Sequence, residues 1–432
     1  MSTLVRRDRL KKQSPDSKNT GIHQQSEFST NIPSSSGLGE LRVLELSQAI
    51  AGPTVTQILA DYGASVVKVE RPRRGDIFRD VPGMGPSMFL AVNRGKKSVA
   101  IDLKTKKGLD LLYGLMKWCD VFVENLSPGT AESMGVTYDK SRRVNKGMIF
   151  CRVQSFGRGP MEDVPAFDPV LQAATGIMST TGFPPDRFAR AGVSIVDMST
   201  GMHAAIAILF MLLRREKTGK GGLLEVSLYD SAAYFMSYWV TRLDLTGRDT
   251  LPLGSTHIFG APYNLFKTSD GWIYIAVAGD SDWASFCRAL GFDDLLSLKK
   301  YHSNDCRVKN KAALEKLVGS RITRMKTSDL QEKLRRARVP SSVLNTTKGL
   351  LKDSHFTARN LLETYVLPNK KESRKLFRTI VNPAIIDGKR VHTEASPPRL
   401  GDDTASVMKD LLRLDSAKIR KLVSDKIIQI AD

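Results

Sequence analysis

An α/β fold with a parallel main sheet is what the sequence predicts, and two observations carry that prediction. Residues 41–46 read as a strand, 54–62 as a helix closed by Gly63, and 65–70 as a second strand. Strand, helix and strand in so short a span make a βαβ unit, whose two strands run parallel. The alternation then continues with a strand at 99–103, a helix over 105–119, and strands at 120–124 and 148–153. This is the rhythm of a doubly wound sheet, whose ligands sit beyond the carboxyl ends of the strands.

Each connection refines the picture. The loop after the first strand, residues 47–53, contains Gln48, Ala49, Ile50, Ala51, Gly52 and Pro53, with no G-x-G-x-x-G. A dinucleotide-binding domain needs those glycines at that turn, so the loop speaks against a nicotinamide or flavin enzyme even though Glu70 closes the second strand. Arg71, Lys104 and Asn125 each follow a strand end and so share one rim. Any one of them could simply turn the chain, whereas three together suggest a binding edge.

Pro169 suits a first helical position, because its missing N–H goes unmissed there, and this places Asp168 at the N-cap. Two readings follow. Asp168 is a helix cap, or it is a carboxylate kept charged by the helix terminus and used as a nucleophile. Local pattern leaves both open. A long apolar helix opens near Asp197, contains His203, and ends at Arg214 and Arg215 before the glycines 219, 221 and 222. Its charged flanks fit a buried helix rather than a membrane span. His203 has no partner at ligand spacing and reads as a packed or capping residue.

Past Gly222 the texture changes. A strand at 224–228, a helix over 229–245, a Gly- and Pro-containing loop over 251–262, and two strands around Ser269, Asp270 and Gly271 predict a smaller α+β domain over 223–335. Residues 336–432 have short apolar runs and end in helix from about Thr404. Two domains suit 432 residues. Residues 1–36 are basic, Ser-rich and poor in apolar side chains, which predicts disorder. They lack the apolar core of a secretory signal, so a cytoplasmic location is expected, with a mitochondrial one as the alternative if this segment is a transit peptide.

The net charge of +20 points to an anionic partner, either nucleic acid or a phosphorylated small molecule. Neither a nucleic-acid-binding motif nor an aromatic-rich basic face accompanies it. The four cysteines are scattered without a C-x-x-C pair, so neither a metal site nor a disulfide framework is expected.

From Leu41 to the C-terminal helix the chain resembles the class III coenzyme A transferases, the family of carnitine and formyl-CoA transferases and α-methylacyl-CoA racemases. The resemblance is carried by Val43-Leu44-Glu45-Leu46 with Ala51-Gly52-Pro53, by Gly63-Ala64-Ser65 leading to Glu70-Arg71-Pro72, and by Asn93-Arg94-Gly95 with Lys96-Lys97-Ser98. Val123-Glu124-Asn125-Leu126-Ser127-Pro128-Gly129, Phe167-Asp168-Pro169 and Lys217-Thr218-Gly219-Lys220-Gly221 complete it. Singly weak, these stretches are specific in this order and spacing.

The resemblance implies that Asp168 is the nucleophile and that Arg71 meets the CoA phosphates. It puts Ile101, Leu103 and Lys104 at the adenine end, Asn125 and Leu126 along the pantetheine, and Gln154, Phe156 and Met202 close to the aspartate. It further implies a Rossmann-like large domain over 37–222 completed by 336–432, an interlocked homodimer, CoA as co-substrate, and no tightly bound cofactor or metal. Two departures stand out: Ser133 replaces a basic residue common before the Met134-Gly135 pair, and residues 253–260 replace the glycine-run lid of the formyl-CoA enzymes. The implied reaction moves CoA from a thioester to a free carboxylic acid through an aspartyl intermediate. A racemase of the same family is the first alternative, but it needs a histidine upstream of the aspartate, and none lies between His23 and His203. A non-catalytic nucleic-acid-binding protein, suggested by charge alone, is the second.

Overall fold

Val43, Leu44, Val67, Val69, Phe122, Val123, Ile149 and Phe150 are all buried, so the main strands are covered on both faces. That is the environment of a parallel sheet between helix layers. The computed structural model describes residues 38–368 and 375–431. The segment 1–36, with its expected disorder or transit peptide, lies outside the described residues.

Seven strands form the main sheet. In spatial order they are Ile428–Gln429, Lys96–Ile101, Ser65–Glu70, Arg42–Leu46, Val121–Glu124, Ile149–Gln154 and Gly222–Ser227. All pairings are parallel except that of Ile428–Gln429 on Lys96–Ile101. Chain order reverses direction between Arg42–Leu46 and Val121–Glu124, which makes that gap the switch point where doubly wound sheets bind ligands.

One face is covered by the helices Ala51–Asp61 and Ile195–Thr218, whose Val55, Leu59, Val196, Ala204 and Ile208 join Val43, Val66 and Val121 in one cluster. The two helices nearly touch. A Cβ on Gly201 would stand 2.6 Å from the Cβ of Thr54, so only glycine fits there. The other face is covered by Lys106–Trp118 and the C-terminal helices Thr404–Asp410 and Ser416–Ser424, through Leu112, Leu115, Met408 and Ile419. The C-terminal residues thus complete the large sheet and its helix layer.

A second core gathers Phe266, Ile273, Trp283, Phe286, Tyr301, Leu314 and Val318 around a three-stranded antiparallel sheet. Its strands are Tyr263–Lys267, Trp272–Ala276 and Ser341–Val343. The strand expected to open the smaller domain at 224 belongs instead to the large sheet, where Gly222–Ser227 pairs with Ile149–Gln154. Conversely Ser341–Val343, expected in the returning segment, closes the small sheet. Strand patterns carry no information about the partner, so both exchanges were invisible locally.

Other boundaries shift for identifiable reasons. The first helix begins at Ala51 and absorbs Gly52 and Pro53, because Pro53 lies in a first turn whose N–H groups have no intrahelical acceptor. Helix 229–245 divides into Leu228–Tyr234 and Ser237–Thr246. The long apolar helix, Ile195–Thr218, is long and apolar enough to cross a membrane by length and composition alone. It buries one face on Ala51–Asp61, while Met198, Met202, Ile206, Leu209, Phe210 and Leu213 remain exposed, so the expectation of a buried helix holds for one side only.

Candidate active site

The switch point is closed from below by a side chain. Asn125 donates through Nδ2 to the Gln48 carbonyl and accepts through Oδ1 from the Gln48 N–H, both at 2.8 Å. The loop leaving the first strand is thereby pinned to the end of the fourth. Close approach makes this possible, since a Cβ on Gly52 would lie 2.6 Å from the Cβ of Ser47 and 2.9 Å from Cγ of Asn125.

Beside this strut opens a cavity of about 1210 Å³ along the carboxyl edge of the sheet. Arg71, Ile101, Leu103, Lys104 and Leu126 all line it, so five of the six residues assigned to CoA by resemblance share one wall system. Asn125 is not among the lining residues; both ends of its amide are engaged by Gln48, which is. Arg73, Arg74 and Lys426 add three more cations, and Gln429, Ile430 and Ala431 bring the C-terminal strand region to the rim. Arg73 adopts a left-handed conformation (φ 68°), and its N–H donates to Oε1 of Gln429 at 2.5 Å. The sequence carries a cue for the arginines, since Arg71, Arg73 and Arg74 crowd one turn after a strand, but none for Lys426.

Under the cavity floor lies a buried ionic network. Lys68 Nζ is 2.7 Å from Glu45 and 3.0 Å from Asp76, and Lys96 Nζ is 2.9 Å from Glu45, with all these side chains fully enclosed. Burial would raise the Glu45 carboxyl, but the two lysines hold it down at about 2. Burial pushes Lys96 down to about 8 despite Glu45. Asp76 accepts from the Ala49 N–H at 3.2 Å and from the Phe78 N–H at 3.0 Å, tying the arginine turn to the Gln48 loop. Charges removed from water need such full pairing, and breaking one pair typically costs about 3–5 kcal/mol.

Asp168 is 4% exposed and opens the helix Asp168–Ala174. The expected N-cap position is taken by Phe167, with no side-chain cap to this helix. The carboxylate instead reaches another helix: Oδ2 accepts from the backbone N–H of Val196 at 2.7 Å and of Asp197 at 3.1 Å, in the first turn of Ile195–Thr218. Oδ1 accepts from Nε2 of Gln172 at 2.5 Å. Gln172 is fully buried, and its Oε1 accepts from the Ala191 N–H at 2.8 Å. Burial, reinforced by the charge of Asp168, pushes the Asp197 carboxyl up to about 7. The carboxylate therefore does not cap its own helix, as the sequence suggested, but accepts from the first-turn amides of a different one.

Of the residues expected near Asp168, Phe156 packs into the cluster that holds Leu171 and Val196, with its ring 5.7 Å from that of Tyr229. Gln154 ends the strand Ile149–Gln154, and Ser155 Oγ accepts from the Ala166 N–H at 3.2 Å, drawing that loop toward Asp168. Met202 is half exposed on Ile195–Thr218. None of these three bonds Asp168 directly; the recorded donors are Gln172, Val196 and Asp197. Gln172 was legible, four residues on and so on the same helix face. The helix amides were not.

Residues 38–404 match the family model described as CoA-transferase family III. The chain belongs to that family. It is 31% identical over 398 residues to the succinyl-CoA:glutarate CoA-transferase of Mus musculus, covering 90% of this chain and 89% of the relative. It is 31% identical over 348 residues to the succinyl-CoA:mesaconate CoA-transferase of Haloarcula hispanica, covering 78% and 87%. Among solved structures, a CAIB/BAIF family protein from Brucella suis superposes with a TM-score of 0.77 at 30% identity, covering 86% of this chain and 98% of that one. As a family III CoA-transferase the chain takes CoA thioesters as co-substrates. Among the described residues no group of three or more His, Cys, Asp or Glu side chains could hold a metal.

Proposed function

We propose that this CoA-transferase moves CoA from a dicarboxylic acyl-CoA to a free dicarboxylic acid through covalent intermediates on Asp168. The observation that carries the proposal is the buried Asp168 carboxylate, oriented on both oxygens, in a chain whose strand ends also carry a cavity rich in cations. Arg71, Arg73, Arg74, Lys104 and Lys426 pair with the phosphates of CoA, while Ile101, Leu103 and Leu126 offer apolar surface to the remainder. The carboxylate attacks the thioester carbonyl, CoA leaves as thiolate, and a mixed anhydride forms. The thiolate then takes the aspartyl carbonyl, the first acid departs, and the second acid reverses both steps.

The dicarboxylic preference is supported by relatives named for succinyl-CoA with glutarate and with mesaconate. Incubating the protein with succinyl-CoA and a panel of free mono- and dicarboxylic acids, with mass detection of new CoA thioesters, tests it. Transfer to dicarboxylates in preference to monocarboxylates is expected. Hydrolysis alone, or preference for monocarboxylates, would overturn it.

The working unit in this proposal is a homodimer. Met198, Met202, Ile206, Leu209, Phe210 and Leu213 recur at helical spacing and form an exposed apolar stripe on Ile195–Thr218, the helix that holds Asp168. Light scattering should return twice the 47.8 kDa chain mass. An active monomer would contradict it.

A further inference from the structure

The two oxygens of Asp168 are not equivalent. Oδ2 is held by two backbone N–H groups, those of Val196 and Asp197, which belong to the rigid first turn of a 24-residue helix. Such first-turn amides have no acceptor within their own helix, so the carboxylate oxygen is their natural partner. Oδ1 is held by one donor only, the side-chain amide of Gln172, whose Oε1 accepts from Ala191. An incoming carbonyl carbon can displace a single side-chain donor. Displacing two amides of a helix terminus would strip that terminus of its partner.

We propose that Oδ1 is the attacking atom of Asp168, and that the Val196 and Asp197 amides form an oxyanion site for the carbonyl of Asp168 itself. The inference rests on the covalent mechanism above and deepens it. Oδ1 bonds to the thioester carbonyl carbon, the C–S bond breaks, and the sulfur leaves with the electron pair as CoA thiolate. Oδ1 is now the bridging oxygen of the anhydride, and Oδ2 is the carbonyl oxygen of the aspartyl half.

When the thiolate attacks Cγ, the carbonyl electron pair moves onto Oδ2, where two N–H donors already point. No group has to move to receive the charge, which is the condition under which such donors are most effective. Collapse breaks the Cγ–Oδ1 bond and releases the first acid with Oδ1 in its carboxylate. The acceptor carboxylate then attacks Cγ, places one of its own oxygens in the bridging position, and expels the thiolate. Thiolate attack on the acceptor carbon leaves that oxygen on Asp168 as the new Oδ1. Oδ2 never leaves.

Isotope exchange tests this on the unaltered protein. The enzyme turns over many times with acceptor acid labelled in both carboxylate positions with heavy oxygen, and the peptide containing Asp168 is weighed. One heavy oxygen, and no second one on longer incubation, is the expected result. Two heavy oxygens would show that the carboxylate rotates between turnovers, and would overturn the assignment while leaving the covalent mechanism intact. Transfer without any label on Asp168 would remove the covalent mechanism itself.

The oxyanion role has its own test. Replacing the Val196 amide by an ester, through incorporation of the α-hydroxy analogue of valine, deletes one donor without removing a hydrogen bond internal to the helix. Formation of the aspartyl–CoA thioester should slow by about 10²–10³-fold. The same variant should gain the second heavy oxygen, because Oδ2 is less firmly held. An unchanged rate of thioester formation in a folded, CoA-binding ester variant would overturn the oxyanion role.

Discussion

Gln48 and Asn125 exchange two hydrogen bonds of 2.8 Å, locking together the strand ends that flank the sheet's switch point. Gln48 lines the cavity, and Asn125 holds it there from outside the lining. Asn125→Ala leaves both backbone groups of Gln48 without their partner and is expected to destabilise the protein by about 1–3 kcal/mol. The Km for acyl-CoA should rise several-fold as the loop loosens. Chemical denaturation and steady-state kinetics check both, and an unaltered denaturation midpoint would remove Asn125 from its structural role.

Arg71 lines the cavity from an exposed turn just past a strand end. A charge-assisted phosphate contact is worth about 1.5–3 kcal/mol, so Arg71→Ala should weaken CoA binding by about tenfold to a hundredfold. Calorimetric titration with CoA measures it, and the weakening should shrink at high salt. Unchanged affinity would place the phosphates elsewhere.

Asp197 gives a pH signature. Its carboxyl sits at about 7 in the folded protein, raised from an ordinary 3.8 by burial and by Asp168. An acid whose folded value is raised binds more protons folded than unfolded in this window, so stability falls as pH rises between those values and is level above them. Asp197→Asn keeps the backbone N–H while removing the titration. The Tm difference in favour of the variant should therefore grow from about pH 4 to about pH 7 and then hold steady. A pH-independent difference would show that Asp197 does not titrate there.

Asp168→Asn separates holding the helix from doing chemistry. The Asn carbonyl can still accept from Val196 and Asp197, while its amide meets the donor of Gln172, so a loss of about 1–3 kcal/mol is expected with the fold and CoA binding retained. Transfer should disappear, because a neutral amide cannot form the anhydride. Retained transfer would leave Asp168 with only its helix-capping role.

Much of this was legible because the chain is locally consistent. The strand-helix-strand pattern of residues 41–70 and the rim residues Arg71 and Lys104 were readable, since strand ends can be found from apolar runs and the cavity follows them. Pairing was not readable: Gly222–Ser227 carries nothing that says which sheet it joins. Nor was the wall supplied by Lys426 to Ala431, more than 350 residues from Arg73, because the contact exists only once the antiparallel edge strand has docked. Asp168 illustrates the limit best. Its neighbour Pro169 announces a helix start, yet the amides it binds belong to a helix that begins at Ile195.

The most direct test of the aspartyl mechanism is to trap the intermediate on the unmodified protein. Incubation with acyl-CoA, followed by hydroxylamine and peptide mass mapping, should reveal a hydroxamate at Asp168, since only an activated acyl–carboxylate or thioester gives that adduct. Robust CoA transfer with Asp168 unmodified under trapping conditions would contradict it.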